Sequence, residues 1–439
     1  MEKDLILKTV DLIKHNASYY QTKLGYYMGQ HDILGRKIPD PDKPNNHTVV
    51  NYAKYIADVQ TSYFIGVPVT YNTNVDNEAF WKAFSDVHEY NDIDDHNTNL
   101  VYDMGIYGKS YEFLFVGEHH RTGNPIIRIG RMNPAETAVI YDDSMIPEMV
   151  GAVRYFSKEE PKETNEAVKQ YDRVEYVDVY DSEKIARYKI QDRVLTLLEE
   201  WEHFFNDVPV VEYKNNEFEL GDFDMVMTLI DAYNLMTSDS INDAEEFVNS
   251  YLVLKGFNGT EPEDVIDMKT KRTLLADQED DAYFLVRNVN DKAEENRKTR
   301  LQNDIHKISN VPDLSDDKFG QNLSGVAIAY KLWGLEQAAS IKERKYTKGL
   351  QRRAELICNY LQKIGIMFDY TDIDYTFTRN MPTNVVEMIG IALQAGAQIS
   401  QETILSWIPG VDPVEEVERI QQQREETVFP ELFDDNAEG

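Results

Sequence analysis

Four groupings of residues in this 439-residue chain are of types that carry chemistry elsewhere. Gly105-Ile-Tyr-Gly-Lys-Ser110 ends as a phosphate-binding loop does. That loop needs Gly-x4-Gly-Lys-Ser after a strand and before a helix, so that backbone amides and the lysine face phosphate oxygens. Its first glycine falls at Asp103, whose carboxylate would repel phosphate, and here a helical pattern precedes and a strand follows. The motif therefore excludes an ATPase of that kind. The polar run Asn91 to Asn97 gathers aspartates with His96, but an oxygen site for a cation needs six or more ligands disposed around the ion. It reads as a solvated turn. His119-His120 opens a hairpin-like signal, His-His-Arg-Thr-Gly-Asn, and adjacent histidines on a turn are exposed rather than ligating. Cys358, the single cysteine, excludes an intrachain disulfide and a thiolate zinc site and fits a reducing compartment.

Bulk properties narrow the classes further. The formal charge of −33 argues against a general phosphate-binding surface, because nucleic-acid affinity comes from Lys and Arg displacing counterions. It also argues against attraction to anionic membranes. No stretch approaches the ~18 consecutive apolar residues of a membrane span. The opening Met-Glu-Lys-Asp-Leu-Ile-Leu-Lys places acids where a signal peptide needs an apolar run, so no export is expected. With 42% hydrophobic residues the chain can bury a sizeable core in two or more regions.

The elements that must position any site follow from periodicity. Leu5, Ile6, Val10 and Ile13 predict a helix over residues 4 to 30. Pro39-Asp-Pro-Asp-Lys-Pro44 cannot continue it. A second helix carries Val49, Ala53, Ile56, Gln60 and Tyr63 on one face, and two more cover 76 to 107, broken between Asn91 and Asn97. From Ser110 the pattern predicts strands at Tyr111–Val116, Ile126–Arg131, Thr137–Tyr141, Met149–Phe156, Arg173–Tyr180, Ala186–Ile190, Val194–Leu198 and Val208–Tyr213. Asp222 can cap a helix from Phe223 to about Asn249, with apolar positions Phe223, Val226, Met227, Ile230 and Tyr233, then Ile241, Ala244 and Val248. Tyr251-Leu-Val-Leu-Lys and Tyr283-Phe-Leu-Val-Arg read as strands around a compact insertion. Asp291 with Glu294 makes a capping box for a returning helix. That helix has almost no large apolar residue from Lys292 to Arg300, and packing against identical neighbours would explain it.

The segment that organises the rest runs from His306 to Leu335. The helical pattern of Leu301, Ile305 and Ile308 stops before Pro312. Asp313 to Asn322 is polar, and Ser324 can cap a helix from Val326 to about Ile364, kinked near Gly334 or Gly349. A loop this long inside a domain is functional or disordered. An extended segment, Phe368 to Phe377, and helices opening near Asn384, Ser400 and Asp412 finish the chain, followed by an acidic tail from Glu425.

The run Ser-Asn-Val-Pro-Asp-Leu-Ser-Asp-Asp-Lys-Phe…Asn-Leu-Ser-Gly-Val-Ala in this segment resembles the tunnel-loop block of portal proteins, the head–tail connectors of tailed double-stranded-DNA bacteriophages. Ser62-Tyr-Phe-Ile-Gly-Val-Pro-Val-Thr-Tyr71 and the stretch from Leu229-Ile-Asp-Ala-Tyr-Asn-Leu-Met-Thr-Ser-Asp239 to Tyr251-Leu-Val-Leu-Lys-Gly256 agree in order and spacing. The resemblance implies an α+β portal fold. Residues 1–221 would be a wing of helices and antiparallel strands, 222–250 a stem helix, 251–290 a clip and 291–309 the returning stem helix. Residues 310–324 would be the tunnel loop, 325–380 the long wing helix with its extended segment, and 381–439 a helical crown with an acidic tail.

The same resemblance implies a closed ring of the family's twelve subunits, on the order of −400 in formal charge before screening, which would let a polyanion slide without sticking. DNA would pass non-specifically by the tunnel loop, Val311, Pro312, Asp313, Leu314, Ser315, Asp316, Asp317, Lys318, Phe319, Gly320, Gln321, Asn322 and Leu323. Asp231, Asp239, Asp243 and Glu246 are candidates for the channel face of the stem. The basic cluster Lys342, Arg344, Lys345, Lys348, Arg352 and Arg353 is expected to pair with acidic faces of neighbouring subunits, with DNA as the alternative contact. Implied partners are the terminase large subunit, which would supply the energy, the major capsid and scaffolding proteins, and head-completion or adaptor proteins. No cofactor, metal, catalytic residue or membrane is expected, and the place is the portal vertex of a virion assembled in the host cytoplasm. Two other readings stand beside this one: another virion ring component such as an adaptor or tail protein, and a metal-dependent carboxylate hydrolase built from scattered acids.

Overall fold

Helix α1, Lys3–Tyr27, sets the pattern for the body. Its Ile6, Val10 and Ile13 recur at helical spacing and pack with Val153, Val177, Val179, Ile190 and Leu195. Those five alternate along strands and so share one sheet face. The structure, a computed structural model, describes residues 1–41, 43–161, 171–248, 251–255, 266, 281–285, 291–314, 325–381, 400, 405, 416–417 and 419–423. The chain divides into two compact units, one of residues 1–313 and 332–379, the other of 314–331 and 380–439.

In the first unit a five-stranded antiparallel meander runs in the order β4-β5-β6-β7-β8: Thr137–Tyr141, Met149–Pro161, Tyr171–Tyr180, Lys184–Gln191 and Val194–Glu202. A second sheet, ordered β3-β2-β9, joins Pro125–Met132, Lys109–Glu118 and Val210–Lys214. Tyr111, Met132, Val208 and Val210 of the second sheet region pack with Ala152, Tyr180 and Ile185 of the first, which makes a second core. The free edge of β3 is closed by one side chain. Asn91 accepts from Ile129 N at 2.9 Å and donates to Ile127 O at 2.8 Å, taking the place of a neighbouring strand.

Helices α2 (Tyr52–Ile65), α3 (Glu78–Tyr90) and α4 (Ile93–Tyr107) lie where periodicity placed them, except that Val49, expected on the face of α2, precedes its Asn51 cap. The break between α3 and α4 is shorter than the polar run suggested, because Asp92 turns the chain at φ +48° and Ile93 to Asn97 already belong to α4. The glycines of Gly105-Ile-Tyr-Gly-Lys-Ser110 serve packing. Gly108 caps α4 at φ +90°, and a Cβ there would stand 1.8 Å from Glu219 O. A Cβ on Gly105 would stand 2.5 Å from Asp222 Oδ2. Helix precedes and strand follows, as the motif argument required.

Strands β1 (Thr70–Asn72) and β12 (Asp374–Thr376) pair antiparallel, a long-range contact that short runs give no hint of. The next helix starts with a 3-10 turn at Asp224–Val226 and continues as α5, Met227–Val248. Strands β10 (Tyr251–Lys255) and β11 (Asp281–Leu285) pair antiparallel, and α6 returns over Asp291–Ser309. The long helix expected from Val326 is interrupted at Leu332, giving α7 (Gly325–Lys331) and α8 (Trp333–Lys363). Gly349 of α8 is also required, since a Cβ would meet the Tyr213 ring at 2.2 Å. The second unit is described through α7 and short helical pieces at 416–417 and 419–423. The helix starts expected near Asn384 and Asp412, and the Ser324 cap, lie outside the described residues. Among the described residues no helix is long and apolar enough to cross a membrane.

Candidate functional site

Residues 309–313, which lead into the segment expected to face DNA, are tightly held. Helix α6 ends at Ser309, and Asn310 turns the chain out at φ +59°. Val311 is fully buried. From α2, Gln60 Nε2 donates to Ser309 O at 3.2 Å and Tyr55 OH donates to Pro312 O at 3.0 Å. From α6, His306 Nδ1 lies 2.9 Å from Val311 O and Gln302 Nε2 donates to Asp313 Oδ2 at 3.3 Å. A carbonyl only accepts, so His306 Nδ1 carries the proton. The rings of Tyr52 and Tyr55 meet His306 edge-on at 5.7 and 5.9 Å. Val311, Pro312 and Asp313 thus belong to the scaffold. Leu314 is exposed. Ser315, Asp316, Asp317, Lys318, Phe319, Gly320, Gln321, Asn322 and Leu323 lie outside the described residues.

The start of α5 is pinned by two buried ion pairs. Lys342 Nζ of α8 reaches Asp222 Oδ2 at 2.8 Å, and Lys23 Nζ of α1 reaches Asp224 Oδ2 at 2.5 Å. Asn215 Nδ2 also donates to Asp222 at 2.9 Å. Asp222 was expected to cap the helix; its carboxylate instead answers Lys342, because a buried ammonium needs that charge more than the helix end needs one acceptor.

Beyond this anchor the buried face of α5 changes chemistry. Val226 and Ile230 continue in four-residue steps as Asn234, Ser238 and Asn242, all buried. Each polar member serves the extended segment before α2. Asn234 Oδ1 accepts from Val50 N at 2.8 Å, Ser238 Oγ from Thr48 N at 3.0 Å, and Asn242 Oδ1 from Asn46 N at 2.8 Å. Four helical residues rise ~6.0 Å and two extended residues ~6.6 Å, so the rungs stay in register over three steps. The expected stripe through Ile241 and Ala244 is corrected here: both are exposed, and the polar row is what is buried.

The acids expected on a channel face divide. Asp231 accepts from Tyr26 OH at 2.7 Å, and burial, followed by the nearby Asp32 charge, raises its carboxyl. Asp239 pairs with Arg36 at 2.6 Å. Asp243 is half-buried, and Glu246 lies on α5 with its side chain outside the description. None of residues 292–300 of α6 is buried, in keeping with their polar sequence. Ser240 Oγ and Glu294 of α6 are hydrogen-bonded, which ties the two helices.

The basic cluster also divides. Arg353 is 1% exposed and grips Glu112 with two hydrogen bonds, Nε to Oε1 at 2.8 Å and Nη2 to Oε2 at 2.7 Å. Its Nη1 donates to Asn97 at 2.8 Å, and His96 and Tyr213 complete the Glu112 shell at 2.9 and 2.8 Å. Burial pushes the Glu112 carboxyl up, but Arg353 and these hydrogen bonds outweigh it and hold it below the usual range. Arg352 pairs with Asp207 at 2.6 Å and Glu355 at 2.8 Å, and Lys345 with Glu217. Lys342 and Arg353 are therefore taken up inside the chain and cannot reach a neighbour. Arg344 and Lys348 are the exposed members. Sequence reasoning missed Glu112, Asn97 and the Asn234–Asn242 row, since a lone acid on a strand and asparagines on a helix carry no periodic signal.

Among the described residues no group of three or more His, Cys, Asp or Glu could hold a metal ion. The polar groups brought together here fix elements to one another and hold residues 309–313 in place, which is the arrangement of a structural scaffold. The family model described as "Phage portal protein, SPP1 Gp6-like" matches residues 8–428, and the chain belongs to that family. The portal protein of Bacillus phage SPP1 is 27% identical over 449 aligned residues, covering 95% of this chain and 86% of that one. The portal protein of Clostridium phage phiCD119 is 24% identical over 434, covering 93% of each.

Proposed function

We propose that copies of this chain close into a ring at one vertex of the capsid and form the channel for double-stranded DNA in packaging and ejection. The observation that carries this is the family match running from residue 8 to 428, through the anchored loop root and both long helices. In this reading the wing is 1–221, α5 and α6 are the stem, 251–290 the clip facing a terminase motor and later head-completion proteins, and 381–439 the crown. Leu314 to Leu323 faces the axis and meets the duplex through weak, sequence-independent contacts, with Val311 to Asp313 as its held root, while Arg344 and Lys348 meet acids of a neighbouring copy. A twelve-membered ring, capsid and scaffolding contacts, and assembly in the host cytoplasm belong to the same proposal.

The loop's root is fixed by α2 and α6, so the loop can be shortened without unfolding its support. Deleting Ser315 to Gln321 should leave ring formation intact by negative-stain microscopy and lower the DNA packaged per particle at least tenfold. Wild-type packaging by that deletion would remove the DNA-facing role; a wild-type chain that stays a single copy at high concentration would remove the ring.

A further inference from the structure

The turn between β4 and β5 holds two large apolar side chains in water. Asp142 Oδ1 accepts from Ser144 Oγ at 2.8 Å and Glu148 N at 2.9 Å, and Asp142 N donates to Glu148 O at 3.0 Å. Ser144 Oγ also lies 2.6 Å from Ile146 O. On this locked turn Met145 is fully exposed and Ile146 is 81% exposed. A rigid turn presenting an apolar pair loses little freedom on docking, which is what an anchor needs.

Elsewhere in the same unit, α3, the β2–β3 hairpin and the last turn of α8 enclose an open cleft of about 840 Å³. Val87, Ile126, Ile127, Leu361 and Ile364 supply apolar wall. The hairpin side of the rim is basic. Arg128 lies over the Tyr90 ring at 5.2 Å, the His119 ring meets Tyr90 tilted at 4.5 Å, and Arg121 also lines the cleft. Neighbouring Arg131 and Arg154 find carboxylates at 3.5 and 3.3 Å, whereas Arg121 and Arg128 make no ion pair within 4 Å among the described residues. Acids Asp86 and Glu89 line the α3 side. In a chain of net charge −33, arginines left without a carboxylate mark where an acidic partner can approach.

We infer that the occupant is a second copy of this chain, which seats its Met145–Ile146 tip in the cleft with Asp143 and Glu148 toward Arg121 and Arg128. The tip's exposure shows that it does not enter its own cleft. A knob and a socket at different places on each copy make a head-to-tail contact, and such contacts close into a ring when the rotation permits. The inference rests on the ring proposed above.

The test pairs Met145→Cys with Ile364→Cys, the latter site being 59% exposed, while the native Cys358 is buried at 6%. Oxidation of assembled protein should give a ladder of covalent multimers for the pair and none for either single substitution. Independently, Met145→Asp with Ile146→Asp should lower ring yield at least tenfold while leaving the thermal unfolding of the single chain unchanged. Rings at wild-type yield in the Asp pair, with no ladder in the Cys pair, would overturn the inference and leave the tip to another virion protein. Absence of rings in the wild type would remove the ring reading itself, and microscopy shows that before any variant is made.

Discussion

At Arg353 a guanidinium and the Glu112 carboxylate are both sealed from water, so each depends on the other. Removing one partner of a buried pair leaves an uncompensated charge and costs about 3–5 kcal/mol. Arg353→Leu and Glu112→Leu should each lower the unfolding free energy by that order, and the double substitution should cost clearly less than their sum in a denaturant-unfolding cycle. Two other buried groups set the response to pH. Burial raises the Asp103 carboxyl to about 7 against the opposing Arg131 charge, and burial with Arg353 lowers His88 to about 3. From about pH 4 to about pH 7 the folded chain keeps a proton on Asp103 that the unfolded chain has released, so this group costs stability as pH rises. Below about pH 6.5 the unfolded chain protonates His88 and the folded chain does not, so that group costs stability as pH falls. The slopes oppose one another. Asp103→Asn should be more stable than wild type by on the order of 2–4 kcal/mol near pH 8 and gain nothing near pH 3.5, read from urea unfolding at both pH values; equal gains at both would exclude the titration. None of these partners was legible beforehand: Glu112 meets Arg353 across 241 residues, and only the tertiary fold brings them together.

Among the elements, the strands and first helices were legible because apolar residues there alternate or recur for a single reason, burial against a core. The lower half of α5 was not, because its buried row is Asn234, Ser238 and Asn242. These side chains act as the missing neighbour strand for residues 46, 48 and 50, whose amides they satisfy. A buried amide left without its acceptor costs about 1–3 kcal/mol. Asn234→Leu should therefore speed hydrogen exchange at Val50 roughly tenfold or more, and at Asn46 far less, since that rung belongs to Asn242. Uniform acceleration along the segment would mean that α5 packs it rather than pairs with it. The returning helix α6 behaves as its composition said: no side chain from 292 to 300 is buried. Its sequence pointed to packing against identical neighbours, which the proposed ring would supply.

At the scale of the whole molecule, charge and contact pull in opposite directions. Each copy carries a formal −33, so copies repel at long range, yet three basic side chains of α8 are engaged within their own chain: Lys342 by Asp222, Arg352 by Asp207, Arg353 by Glu112. If assembly were driven by many exposed ion pairs, salt would weaken it. With apolar contacts and a few charges against a large like-charge repulsion, salt should strengthen it. Raising ionic strength from about 0.01 M to about 0.15 M shortens the screening length from about 30 Å to about 8 Å, which removes most long-range repulsion and leaves close contacts in place. Sedimentation at fixed protein concentration should therefore show the assembled fraction rising across that range, and Arg344→Glu with Lys348→Glu should shift the curve to higher salt without abolishing assembly. An assembled fraction that falls with salt would place the ring's cohesion in surface ion pairs, and the exposed basic residues of α8 would then matter more than the buried ones.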